Sequence, residues 1–167
     1  MIMARRKRDI TRPLLSEGFT LVEAVVLLVI IGIIASVAAP RFLSISDMNA
    51  AQAHRQTLSD LRFAQRIAMH SGCPVQVDFA TTTYLLRQRA ACRTGAFSLD
   101  MADPVTQATP FSVSLPAGVS VTSSVDPLVF DALGRATTSA GAVSDVTFSV
   151  GGRALEAVGE TGLIRVP

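Results

Sequence analysis

Residues 19–39, FTLVEAVVLLVIIGIIASVAA, constrain this chain more than any other stretch. Every position is apolar, small or hydroxylic, with one exception: the carboxylate of Glu23. As a helix the segment is about 31 Å long at ~1.5 Å per residue, the thickness of a bilayer's hydrocarbon core. A helix that is apolar all round has no face for water, so lipid or other helices must cover it. The residues before it carry Arg5, Arg6, Lys7, Arg8 and Arg12 against Asp9 and Glu17. The remainder has ten Arg, eleven acids and no Lys. That asymmetry fits a cytoplasmic flank that holds the N-terminus inside. Nucleic-acid contact by the RRKR cluster is the competing reading, but the body of the chain lacks the basic excess that phosphate binding requires.

Three readings of the segment compete. A secretory signal peptide would have the basic flank, the apolar run and small-residue cleavage sites around Ala38 and Ala39. An uncleaved signal anchor would tether a periplasmic β domain with a binding or enzymatic role. The third follows from Gly18-Phe19-Thr20-Leu21-Val22-Glu23, the apolar run and the AAPRF that ends it. This pattern resembles the class III signal of type IV pilins and type II secretion pseudopilins. The resemblance implies that a membrane-embedded aspartyl prepilin peptidase cuts between Gly18 and Phe19 and methylates the new amine of Phe19. It also implies that Glu23 governs subunit register in a filament. Physically, an acid inside a bilayer costs about 2.5–3.5 kcal/mol at mid-membrane and less near an end, so it seeks a cation. Cleavage creates one, the α-ammonium of Phe19, about 6 Å back along the helix axis. The plainer role for Glu23 is to interact favourably with the dipole of its own helix start.

Pro40 marks the end of the apolar run and predicts a kink. Beyond it Leu58, Leu61, Ala64 and Ala68 recur at helical spacing, with Met48 and Ala51 extending the stripe backwards. Gly72 and Pro74 stop the pattern near Ser71. One helix from 19 to 71 is therefore expected, apolar in its first half and amphipathic in its second.

The rest reads as β. CPVQVDFA alternates, and TYLLRQRAAC follows a Thr-rich turn. Pairing Cys73 with Cys92 sets paired indices to sum to 165, placing Val77 opposite Gln88 and Phe79 opposite Leu86. Phe79, Tyr84, Leu86 and both cysteines then share a face. A hairpin-spanning disulfide fits that alternation and an oxidising compartment across the membrane; two buried free thiols are the alternative. Residues 93–110 read as loop. FSVSL, VSVTS, LVFDALGRA, VTFSV, LEAV and LIRV follow as short strands separated by Gly-rich turns. Strands so spaced predict antiparallel sheets.

LRFAQRIAMHSGCPVQV, FDALGR and ETGLIRV are similar to the family of H-type minor pseudopilins and minor pilins of the FimT kind. AAPRFLS and the cysteine placement resemble minor pilins of mannose-sensitive haemagglutinin pili. The resemblance implies a type IV pilin-like α+β fold. Its parts are a leader at 1–18, a transmembrane helix half at 19–39, an amphipathic half at 40–71 and an antiparallel β domain at 72–167. The implied partners are the prepilin peptidase/methyltransferase, other major and minor pilins or pseudopilins, the inner-membrane assembly platform and membrane lipid. The implied location is the bacterial inner membrane with the β domain periplasmic, and then a filament of a type IV pilus or a type II secretion pseudopilus.

No catalytic constellation and no cofactor motif is present, so an enzyme is not expected. His54 and His70 are too far apart to chelate together and read as surface or interface residues. Asp126, Asp131 and Asp145 sit near strand edges, where turn-capping is the ordinary role of aspartate and a calcium site the rarer one. No metal is assigned.

Overall fold

The computed structural model describes the backbone of residues 20–167 and the side chains of 20–36 and 45–167. The expected leader and Phe19 lie outside the described residues. Contacts divide the chain into two units, Met1–Arg41 and Phe42–Pro167, and one helix, α1 (Leu21–Ser71), contributes to both. Its end is where the sequence stops favouring helix. Gly72 takes the left-handed conformation, with φ of +67°, that closes helices at little cost when no Cβ is present. The Ser71 hydroxyl completes the cap, donating to the Ile67 carbonyl at 2.7 Å and accepting from the Cys73 N–H at 3.2 Å.

After the cap, β1 (Val75–Ala80) and β2 (Thr83–Gln88) form a hairpin closed by a two-residue turn at Thr81 and Thr82. Val77 lies opposite Leu86 and Phe79 opposite Tyr84, so the register differs by two from the one expected. The turn falls on Thr81 and Thr82, one residue earlier than the Thr82–Thr83 turn that the expected register implies, so Thr83 enters the ladder opposite Ala80. A shift of two preserves the pleat's parity, so Val75, Val77, Tyr84 and Leu86 still face the core. The Cys73–Cys92 disulfide is present, but it is not a cross-strand pair. β2 ends at Gln88, and a turn bridged between Ala91 and Thr94 carries an exposed Cys92 back to the helix end.

The segment expected to be loop contains a two-residue strand, β3 (Leu99–Asp100), beside β2. β4 (Phe111–Ser114) pairs with β2 further along, and β5 (Val121–Ser123) follows. LVFDALGRA is a hairpin rather than one strand: β6 (Leu128–Phe130), a turn over 131–134, then β7 (Ala136–Thr137). β8 (Val146–Val150), β9 (Arg153–Ala157) and β10 (Ile164–Arg165) complete the chain. Two antiparallel sheets result. One has the order β3-β2-β1-β6-β7 with β4 also on β2, and the other has the order β10-β9-β8-β5.

The buried stripe of α1 is Ala50, Ala53, Thr57, Leu61, Ala64 and Ala68. Of the residues expected there, Leu61, Ala64 and Ala68 are buried, Leu58 packs at the edge, and Met48 is 68% exposed. Small side chains win because they let the helix backbone approach the sheets closely, and Met48 on the adjoining face has nothing to pack against. The inward faces of both sheets join this stripe, and the Phe79 and Phe148 rings, 5.4 Å apart, meet between them.

Candidate functional site

The candidate site is the start of α1. Thr20 is its N-cap: its Oγ1 accepts the Glu23 N–H at 3.2 Å, and its carbonyl accepts the Ala24 N–H at 3.2 Å. Thr20 and Glu23 thus stand at the N-cap and third positions of a Ser/Thr-x-x-Glu capping box. That signal was available in the sequence, and it shows the helix start is specified locally. Glu23 lies exposed in the first turn, where a carboxylate is favoured by the helix dipole. From here to Ile34 the large side chains are exposed on every side, from Leu21 at 80% to Leu27 at 45%. Ser36 turns its hydroxyl back to the Ile33 carbonyl at 2.8 Å, so its polarity is satisfied within the helix. Among the described residues no helix is long and apolar enough to cross a membrane; the 19–39 segment extends beyond the described side chains at both ends. Gly18 and Phe19 lie outside the described residues. Pro40 lies in helical backbone, and its side chain is outside them too.

In the body of the chain, three stretches far apart in sequence converge on α1. The Gln65 amide donates to the Gly134 carbonyl at 3.1 Å and to the Thr161 carbonyl at 2.9 Å. The Arg62 guanidinium donates to the Ile164 carbonyl at 2.9 Å. LRFAQ, FDALGR and ETGLIRV are thus parts of one clasp that ties the last strand and the β6–β7 turn to the helix. Gly162, with φ of +61°, lies so close that a Cβ would run into the Gly134 carbonyl and the Gln65 amide.

Other polar residues are also engaged in holding the fold. His54 is buried within the fold rather than at a surface or interface, its Nε2–H donating to the Ala154 carbonyl at 3.0 Å; His70 is exposed. Asp126 accepts the Phe79 N–H, and Asp145 accepts the Gly159 N–H at 2.6 Å. Asp131 accepts the Leu133 and Arg135 N–H groups and pairs with the Arg135 guanidinium at 2.8 Å. Among the described residues no three His, Cys, Asp or Glu side chains gather as metal ligands would.

Sequence reasoning missed one charged contact. Buried Tyr84 donates its hydroxyl to Asp60 Oδ2 at 2.6 Å, linking β2 to α1. Burial raises the Asp60 pKa; the Tyr84 hydroxyl partly offsets this, and the nearby Asp103 charge adds to it. Burial also raises the Tyr84 pKa, with the Asp60 charge acting in the same direction. Asp103 itself is held below the usual carboxylate range by hydrogen bonds from the Val105 N–H and the Thr106 hydroxyl. The tyrosine's period-two position made its burial legible, but its partner 24 residues upstream on another element was not.

No family model matches the chain, and no curated protein matches it in sequence. Solved structures do. A structure of the minor pseudopilin EpsH from the type 2 secretion system of Vibrio cholerae aligns over 71% of this chain and 94% of its own, at 15% identity and a TM-score of 0.54. A second crystal structure of that protein covers 74% and 95%, at 16% identity and the same TM-score. The type IV minor pilin FimU of Pseudomonas aeruginosa PAO1 covers 75% and 92%, at 14% identity and a TM-score of 0.51. At such identities the likeness is one of fold: this chain has the type IV pilin-like architecture of those minor pseudopilin and minor pilin structures.

Proposed function

We propose that this chain is a minor pilin-like subunit that waits in the inner membrane and is then drawn into a helical filament. The observation that carries the reading is the opening of α1: apolar on every side, capped by Thr20 and bearing one acid, Glu23, in its first turn. Such a surface is covered by lipid before assembly and by other helices afterwards. The pilin-like fold of the body supports the same reading. A prepilin peptidase/methyltransferase cuts between Gly18 and Phe19 and methylates Phe19, leaving an α-ammonium four residues before Glu23. In the low dielectric of the filament core, the ammonium of one subunit and the Glu23 carboxylate of another favour one axial register.

The cytoplasmic N-terminus, the membrane-spanning 19–39 segment and the periplasmic β domain belong to this proposal, as does docking on an inner-membrane assembly platform. So does a place near the filament tip. The chain is the peptidase's substrate and performs no catalysis itself. The filament is a type IV pilus, with AAPRFLS and the cysteine placement resembling the mannose-sensitive haemagglutinin kind, or a type II secretion pseudopilus. The test is the N-terminus of the membrane-extracted protein. Intact mass should show loss of residues 1–18 with a methylated Phe19. A mature chain beginning at Ala39 or Pro40 would instead make this an exported β domain, and an intact Met1 in a strain with active peptidase would leave only an anchor.

A further inference from the structure

The outward side of α1 within the body of the chain carries a basic groove. Two adjoining cavities, of about 630 and 260 Å³, share Arg55 and follow one side of the helix from Asp47 to Arg66. Between those residues the helix rises about 28 Å. The floor is partly apolar, with Met48, Ala51 and Leu58, and the cationic groups are Arg55, Arg62 and Arg66 together with Arg153 from the start of β9. All four arginines are exposed, and none forms an ion pair among the described residues. Asp47 is the one acid in either lining. Two of the arginines are held in place: Arg62 by the Ile164 carbonyl, and Arg55 by the Ala51 carbonyl at 3.3 Å. In a body with more acids than cations and no Lys, three unpaired guanidiniums spaced seven and four residues apart on one helix face are a concentrated charge.

We propose that this groove docks an amphipathic helix with an acidic face, contributed by a different protein subunit. A helix fits because the groove runs along a helix, and acids spaced seven and four residues apart on a parallel or antiparallel neighbour meet the same arginines. The neighbour is not a second copy of α1. That helix carries only Glu23, Asp47 and Asp60 as acids, and Asp60 is taken by Tyr84. The surface is therefore not self-complementary, and it selects a partner of opposite charge. This deepens the filament reading by naming the chemistry of the neighbour, and it rests on that reading for the neighbour being a pilin-like subunit.

The test uses the full chain in detergent and a stapled helical peptide with three glutamates spaced seven and four residues apart above an apolar face. Fluorescence anisotropy should show binding that salt weakens. Arg55→Glu together with Arg66→Glu, which leaves the Arg62 clasp in place, should weaken it roughly ten-fold, the sum expected of a few exposed ion pairs. The control Arg93→Glu, an exposed arginine elsewhere, should bind like the wild type, and circular dichroism checks that every variant is folded. Equal binding of the lysine version of the peptide would overturn the proposal. So would equal competition by an unstructured oligoglutamate or a short DNA duplex, which would mark a general anion surface. Self-association of the wild type that the double reversal abolishes would assign the groove to a second copy and overturn it likewise. Peptide binding does not depend on leader processing, so an unprocessed N-terminus with binding intact would sink the filament reading alone.

Discussion

Tyr84→Phe isolates one interaction that ties the helix to the sheets. The substitution keeps the ring, which packs 6.2 Å from Phe79, and deletes the hydroxyl 2.6 Å from Asp60 Oδ2. A hydrogen bond to a charged group contributes about 1.5–3 kcal/mol net, against ~1 kcal/mol for a neutral pair. Asp60 is only partly buried, so water can replace some of what is lost, and a cost of about 2 kcal/mol at neutral pH is expected. The sign of the pH dependence follows from the raised Asp60 pKa. The native state binds this proton more tightly than the unfolded chain. The contribution of Asp60 to stability is therefore fully present below its unfolded pKa and is lost as pH rises through the folded one. Removing the hydroxyl raises the Asp60 pKa further, so the cost of Tyr84→Phe should shrink in acid, where the carboxyl is protonated and the lost bond is an ordinary neutral one. Tyr84 is the sole tyrosine and the chain has no tryptophan, so urea unfolding should be followed by circular dichroism, on the full chain in detergent. A double-mutant cycle with Asp60→Asn should give a coupling of about 1 kcal/mol or more. Additive effects, or a Tyr84→Phe cost that grows as pH falls, would show that the hydroxyl and carboxylate are not partners.

Removing the disulfide with Cys73→Ser and Cys92→Ser should cost about 3 kcal/mol by the loop-closure estimate for a separation of 19 residues; an unfolding midpoint unmoved by reductant would contradict this. Gln65→Ala removes two hydrogen bonds of the clasp and should cost about 1–3 kcal/mol, with the C-terminal strand becoming more open to hydrogen exchange than β1. Uniform loss of protection across both sheets would argue against a local clasp. Glu23→Ala should leave cleavage intact and lower incorporation into filaments, measured in sheared filament fractions. Normal incorporation would remove the register role assigned to Glu23.

Much of the body was legible because period-two alternation and Gly-rich turns survive in short strands. FSVSL and VTFSV became β4 and β8 almost to the residue. The failures came where a choice depended on something distant. The hairpin register turned on which two of the three threonines make the turn, and the Cys73–Cys92 disulfide formed without the two cysteines being opposite one another in the ladder. Met48 drew the helix stripe towards itself because it is hydrophobic, yet close packing against two sheets favoured Ala50 and Ala53. His54 looked like a surface or interface residue because its acceptor, the Ala154 carbonyl, is 100 residues away.

By itself the sequence determined the apolar helix start with its single acid, the helix stop at Gly72 and the inward parity of Val75, Val77, Tyr84 and Leu86 in the first hairpin. These are local properties, set by side-chain hydrophobicity and backbone preference over a few residues. Only the tertiary structure decided that LRFAQ, FDALGR and ETGLIRV form one clasp, that Asp60 answers Tyr84, and that Arg55, Arg62 and Arg66 line a groove without ion-pair partners among the described residues. Those facts rest on which distant groups the two sheets bring against one helix, and no spacing along the chain encodes a distance through space.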